Sequence, residues 1–170
     1  MIYNNSSRMR IADINRGLLT ETSVFNNLAY FHQDQWEAFI LKGRIMLLQL
    51  FMEAITDAGG GASLLQFNYT FTDPAITVKS LCGVSGSLAA YIRGSRCMWV
   101  GGAVASAPIE TVATGGCSDV ICNAPVILGG ANFVGSIGFV TTIANAVSGT
   151  SKIVATYVPM SKDASLLANI

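Results

Sequence analysis

The chain has 170 residues, of which 51% are hydrophobic and only 12% charged, with ten basic side chains balanced by ten acidic ones. That length suits one domain large enough to bury a core, and the charged share is about half of what a soluble domain usually carries. Zero net charge excludes a general electrostatic grip on nucleic acid or on an anionic membrane, both of which need clustered Lys and Arg.

A positive mean hydropathy raises the question of a membrane span, and Val120 to Ser151 is free of Asp, Glu, Lys, Arg and His. Its content argues against a span. Asn123, Pro125, Gly129, Gly130, Asn132, Gly135, Gly138 and Asn145 interrupt it, and apolar runs elsewhere fall far short of the roughly 20 residues a helical span needs. The first thirty residues carry Arg8, Arg10, Asp13, Arg16 and Glu21 with no apolar run, so no signal peptide is expected and the chain is predicted to be made in a cytoplasm. A surface this poor in charge is expected to be covered by protein neighbours.

In chain order, Met1 to about Asn27 reads as a polar arm. Ile11, Ile14, Leu18 and Leu19 form a short apolar stripe that Gly17 interrupts. Phe25, Leu28, Phe31, Trp36, Phe39 and Ile40 fall at roughly helical intervals and predict one short helix within Ser23 to Leu41. Residues 1–41 are therefore assigned as an N-terminal arm with a short helix, 42–160 as the body and 161–170 as a C-terminal tail. Lys42 to Thr56 alternates on both faces and predicts a long strand, its first half buried on two sides. Gly59, Gly60 and Gly61 then turn the chain into Leu64 to Phe71, which predicts a hairpin between these two strands. Asp73 and Pro74 end it, and Ile76 to Leu81 is the next strand. Gly83 to Ser95 is ambiguous, with Leu88 to Ile92 a candidate helical turn.

Beyond it, Cys97–Val100, Ile109–Ala113, Val120–Leu128, Gly135–Ile143 and Ser151–Tyr157 are rich in Val, Ile, Thr or aromatic residues and are punctuated by Gly, Ser, Asn or Pro. Ser148, Gly149 and Thr150 connect the last two, which are expected to pair antiparallel. Strands this short and this regularly spaced predict a mainly β fold, an antiparallel β-sandwich or jelly-roll-like body.

Chemistry is sparse. His32 is the only imidazole, next to Phe31 and Asp34, and suits a local hydrogen bond better than general base work. The ten carboxylates show no local clustering, and no nucleophile elbow activates a serine. The Gly59 to Gly61 run lacks the Lys and the helix of a phosphate loop. Cys82, Cys97, Cys117 and Cys122 are spaced unlike zinc ligands and read as reduced, buried thiols, with Cys117 and Cys122 the one pair placed to bridge. No cofactor, metal or catalytic residue is expected, and the chain is read as a non-enzyme. Arg93 and Arg96 with Tyr91 and Trp99 form the only basic and aromatic cluster of the body, suited either to a carbohydrate or to a solvated loop beside a core Trp99. Arg8, Arg10 and Arg16 on the arm can make bidentate contacts to acidic groups of another subunit. Ile2, Tyr3, Ile11, Ile14, Leu18 and Leu19 beside them offer apolar anchors.

The order of features, with Lys42-Gly43-Arg44-Ile45-Met46-Leu47-Leu48-Gln49-Leu50-Phe51, a Gly-rich hairpin, and the pair Gly135-Ser136-Ile137-Gly138-Phe139-Val140 and Ile153-Val154-Ala155-Thr156-Tyr157-Val158-Pro159, resembles small β-rich virion proteins of tailed bacteriophages, including capsid decoration or cement proteins. The resemblance implies a homo-oligomer, commonly a trimer, made in the host cytoplasm and seated on the virion shell, where its arm binds the major capsid protein. It implies no catalytic residue, no membrane and no direct contact with nucleic acid. Two other virion roles fit the same composition: a receptor- or carbohydrate-binding fibre tip, and a head-to-tail connector or tail component.

Overall fold

A computed structural model describes residues 19–26, 35–60, 64–71, 76–88, 91–99, 109–111, 125–141 and 147–169. Among them the regular elements are strands: β1 (Leu19–Asn26), β2 (Gln35–Ala54), β3 (Gly59–Gly60), β4 (Leu65–Phe71), β5 (Thr77–Ser80) and β6 (Arg96–Trp99). They continue with β7 (Ile109–Thr111), β8 (Val126–Thr141), β9 (Val147–Ser148), β10 (Thr150–Pro159) and β11 (Ser165–Ala168). Nine of these form one curled, wholly antiparallel sheet whose main path is β1-β10-β2-β8-β4-β5.

β2 is the axis of the sheet. Along one edge it pairs with β10 over Ile45 to Ala54 and with β11 over Phe39 to Lys42; along the other it pairs with β8 over Gln35 to Leu47 and with β6 over Leu50 to Glu53. Four strands thus satisfy the backbone of one, on both sides and almost end to end. Phe39, Leu41, Ile45, Leu47, Leu50 and Met52 all point from it into a single core that also takes Leu65 and Phe67 of β4, Ile137 and Phe139 of β8, and Ile153 and Tyr157 of β10.

Three irregularities keep those side chains on one face. Glu37 pairs with Gly138 and Phe39 with Ile137, so Ala38 is an extra residue on β2. Gln49 pairs with Thr156 and Leu47 with Tyr157, so Leu48 is another. Each bulge shifts the two-residue period by one position. The third lies on β8, where Gly130 to Phe133 oppose the single residue Gly43, between the pairs Lys42 with Val134 and Arg44 with Gly129. At that point the chain is crowded. Gly43 (φ +68) lies against Ser161 and Ala164 of the turn that leads to β11, and Gly129 (φ +83) lies against the Gly43 carbonyl. Ser161 fastens the turn by accepting a hydrogen bond from the Arg44 N–H at 3.1 Å.

Several expectations are corrected. The helix placed within Ser23 to Leu41 is not formed in its described parts: Leu19–Asn26 is a strand on β10, and Gln35 to Leu41 opens β2. Residues 27–34 lie outside the described residues. The extra residue at Ala38 breaks the strand period and brings Ala38 and Phe39 both into the interior, which imitates helical spacing. β2 runs through the boundary assigned at 41/42, and β11 places much of the expected tail in the sheet. The hairpin of β2 with β4 is absent because β8 lies between them; β4 instead makes its hairpin with β5. Likewise β8 and β10 do not pair with each other but flank β2 on opposite edges. The two strands expected at Val120–Leu128 and Gly135–Ile143 are, from Val126 onward, the halves of one strand joined by the Gly130 to Phe133 excursion. At Leu88 to Ile92, the candidate helical turn, the described part is a single 3₁₀-type turn in which the Tyr91 N–H donates to the Leu88 carbonyl at 3.0 Å, and it brings Leu88 and Tyr91 into the core.

The Gly43 to Gly129 contact makes a sharp prediction. A Cβ on Gly129 would collide with the Gly43 carbonyl and would also require a left-handed residue, whereas a Cβ on Gly130 meets nothing within 4 Å. Gly129→Ala is expected to lower the unfolding free energy by about 2–4 kcal/mol, and Gly130→Ala by less than about 0.5 kcal/mol. Urea unfolding of the two variants beside the parent checks it; equal effects would contradict the packing described.

Candidate interaction surface

The face of the sheet opposite the core carries a row of charged side chains. Glu53 of β2 stands between Arg96 of β6 and Lys152 of β10, its register neighbours on either side. Arg96 Nε donates to one carboxylate oxygen at 2.8 Å, and Lys152 Nζ lies 2.9 Å from the other. Two positions along the same face, Phe51, Met98 and Val154 form a small buried cluster, and the Arg96 guanidinium sits 5.0 Å from the centre of the Phe51 ring. Partial burial pushes the Glu53 carboxyl up, but the hydrogen bonds from Lys152 and Arg96 and then their charges outweigh it, so it titrates below its ordinary value. This row is a three-strand clamp that joins β6, β2 and β10.

Further along that face, Ser136 Oγ donates to a Glu37 carboxylate oxygen at 2.8 Å, and Ser136, Thr70 and Asn68 are all buried. Beyond them the sheet ends at β5. Ile76, just before β5, and Val78 within it are 78% and 46% exposed, and Val78 is the register neighbour of Thr70. Lys79 turns to the other face, where its ammonium lies 5.4 Å from the centre of the Phe71 ring. Phe71, Tyr69 and Phe133 stack there with ring centres 5.7–6.5 Å apart, and Tyr69 Oη accepts a hydrogen bond from the Gly129 N–H. Other exposed apolar side chains stand singly, Ile127 and Leu167 on stretches of β8 and β11 that pair with β2 along one edge, Val134 on β8, and Val84, Ile92 and Met160 outside the strands, as single surface apolar residues commonly do. At β5, apolar exposure coincides with a strand edge that no described residue covers.

The expected site residues are distributed unevenly. Ile2, Tyr3, Arg8, Arg10, Ile11, Ile14, Arg16 and Leu18 lie outside the described residues, as do His32, Cys117 and Cys122. Leu19 opens β1, opposite Tyr157, so the anchor segment runs directly into a terminal strand of the sheet. The body cluster of Tyr91, Arg93, Arg96 and Trp99 is dispersed. Tyr91 and Trp99 are buried in the core, Trp99 donating its indole N–H to the Leu81 carbonyl at 2.9 Å, while Arg93 is exposed in a turn. Arg96 is taken by Glu53. That set therefore presents no aromatic platform to a sugar.

Gly59 and Gly60 form the short ladder of β3 with β9. Cys82 and Cys97 are free thiols in the core, and burial pushes the Cys82 thiol up despite a hydrogen bond from the Phe67 N–H. No group of three or more His, Cys, Asp or Glu is assembled among the described residues. The clamp and the β5 edge were both missed at the sequence level. Each depends on register between distant segments; the apolar side chains at positions 76 and 78 were the only local sign of the edge.

The Glu53 clamp sets an acid response. A carboxyl whose folded pKa is depressed contributes stability that is present above its unfolded value and is lost as the pH falls through the folded one. Glu53→Gln is expected to cost about 1 kcal/mol at neutral pH, the scale of a partly exposed ion-pair network, with the gap to the parent shrinking once the pH drops below 4.5. Urea unfolding across that range measures it, and a gap that stays constant with pH would refute the assignment. Comparison of the chain with protein-family models, with curated proteins and with solved structures finds no match in any of the three.

Proposed function

We propose that this chain is a non-enzymatic structural subunit of a virion, a capsid decoration or cement protein that associates with copies of itself and binds the major capsid protein through its N-terminal segment. The observation that carries the reading is the placement of that segment. In the sequence, Arg8, Arg10 and Arg16 stand among apolar anchors in the segment that leads directly into β1, a terminal strand of the sheet. Guanidiniums on such a segment match acidic side chains of another protein bidentately, and aliphatic anchors each return about 1.5–3 kcal/mol when fully buried. Fixing a segment on a partner costs roughly 1–2 kcal/mol per residue, which pockets for Ile11, Ile14 and Leu18 would offset.

The low charge of the body supports the same reading, since standard interfaces bury about 800 Å² per partner and are depleted of charge at their centre. Closure of the curled sheet into a sandwich or jelly-roll-like body is part of this proposal. The wholly antiparallel pairing around one core supports it.

Deleting Met1 to Leu18 while keeping β1 separates attachment from folding. The truncated chain is expected to retain its thermal midpoint within a few degrees and its oligomeric mass, and to lose at least about tenfold in retention on shells of the major capsid protein, read by co-sedimentation. Undiminished retention would overturn the role given to the segment. A truncated chain that fails to fold would place the segment in the core and overturn it equally.

A further inference from the structure

We propose that the edge of β5 that no described strand covers is a self-association surface, on which a second copy of this chain adds its own β5 antiparallel about a two-fold axis through Val78. The proposal rests on the self-assembly reading above and gives it a place and a symmetry.

The first argument is hydrogen-bond parity. The Leu81 N–H donates to the Phe67 carbonyl at 2.9 Å, in the same register that pairs Lys79 with Tyr69 and Thr77 with Phe71. In an antiparallel ladder, hydrogen-bonded and non-hydrogen-bonded pairs alternate. Thr77, Lys79 and Leu81 therefore face β4 with their backbone groups, while Val78 and Ser80, and Ile76 by the same alternation, turn N–H and C=O outward. Among the described residues no strand lies on that side. Such a row is a template for strand addition.

The second argument is self-complementarity. Outward backbone groups meet outward groups only when the paired residue numbers sum to an even value. With Val78 on the axis, Val78 pairs with Val78 of the second copy, and Ile76 with its Ser80, reciprocally. That makes three successive hydrogen-bonded pairs. Ile76 and Val78 then lie diagonally beside Val78 and Ile76 of the other copy, covering the side chains that are 78% and 46% exposed in the single chain. Lys79 stands opposite Thr77, on the other face, with its ammonium over its own Phe71 ring. An axis on Lys79 would instead oppose two ammonium groups, and an axis on Thr77 would take Ser80 out of the centre of the ladder. Charge excludes the axis on Lys79, and the three-pair ladder favours Val78 over Thr77.

The third argument concerns size. A strand this short covers far less than the roughly 800 Å² per partner of a standard stable interface. The contact is therefore weak between two free chains and effective where many copies are held side by side, since tethering raises the local concentration of the edge.

Cysteine placement reads the register. In a background with Cys117→Ser and Cys122→Ser, Val78→Cys is expected to give a covalent dimer with a short bifunctional thiol reagent. Ile76→Cys is expected to give several-fold less, because two copies of residue 76 stand about 14 Å apart, four residues along the strand. Val78→Pro removes an N–H that β4 does not use, and Val78→Lys sets two like charges at the axis; both are expected to weaken self-association at least about tenfold in sedimentation equilibrium at the high chain concentrations at which the parent dimerises. Their thermal midpoints show that the fold persists, and either variant that folds suffices for the test. Equal crosslinking at 76 and 78, or self-association unchanged in a folded Val78 variant, would overturn the β5 contact while leaving shell retention through the N-terminal segment standing. Loss of shell retention alone would strike the attachment reading and leave this contact intact.

Discussion

The structure depends on the full pairing of β2. A strand buried in the middle of a sheet must place every backbone N–H and C=O, and one of 20 residues has more of them than any single neighbour here can meet. The chain solves this by dividing each edge between two partners, β11 and β10 on one side, β8 and β6 on the other. The junctions between partners are where the conformational demands collect. At Gly43 three stretches of backbone converge, and two glycines with positive φ stand in contact because no side chain fits between them.

The β character of the chain was legible because Val, Ile, Thr and aromatic residues recur between Gly, Asn and Ser, and the strands at Leu65–Phe71, Thr77–Ser80, Arg96–Trp99 and Thr150–Pro159 fall close to where that pattern places them. Pairing was not legible. A turn such as Ser148-Gly149-Thr150 reports that the chain reverses, and says nothing about a third strand entering between the two it joins. The bulges at Ala38 and Leu48 misled more directly. Each moves apolar residues by one position, so β2 reads as a helix in its first turn's worth of sequence and as a strand buried on both faces further on, although one face is the core throughout.

The uncharged run from Val120 to Ser151 also takes on a different meaning. Its described centre, Gly135 to Phe139, is buried within this chain, because β8 sits between β2 and β4. Part of what looked like surface waiting for a neighbour is interior. Among the described residues the apolar exposure that remains is smaller and more specific, and at β5 two exposed apolar side chains, Ile76 and Val78, fall together at a strand edge. Burial of Trp99 and Tyr91 follows the same logic: aromatic residues beside arginines suggested a ligand, and the register instead sends the rings inward and Arg96 outward on alternate positions of one strand and its approach.

The division of β2's edges bears on how the chain is born. Leu50 meets Ala155, Ile45 meets Pro159 and Phe39 meets Ala168, so a strand completed by Ala54 finds the partners of one whole edge only after roughly a hundred further residues have been made. Until then that edge has no described strand beside it, although β6 and β8 have already been made for the other. Topology of this kind folds slowly and leaves its nascent form open to pairing with other chains. β10 and β11 therefore act as a late latch, and a chain halted before β11 leaves Phe39 to Lys42 of that edge bare.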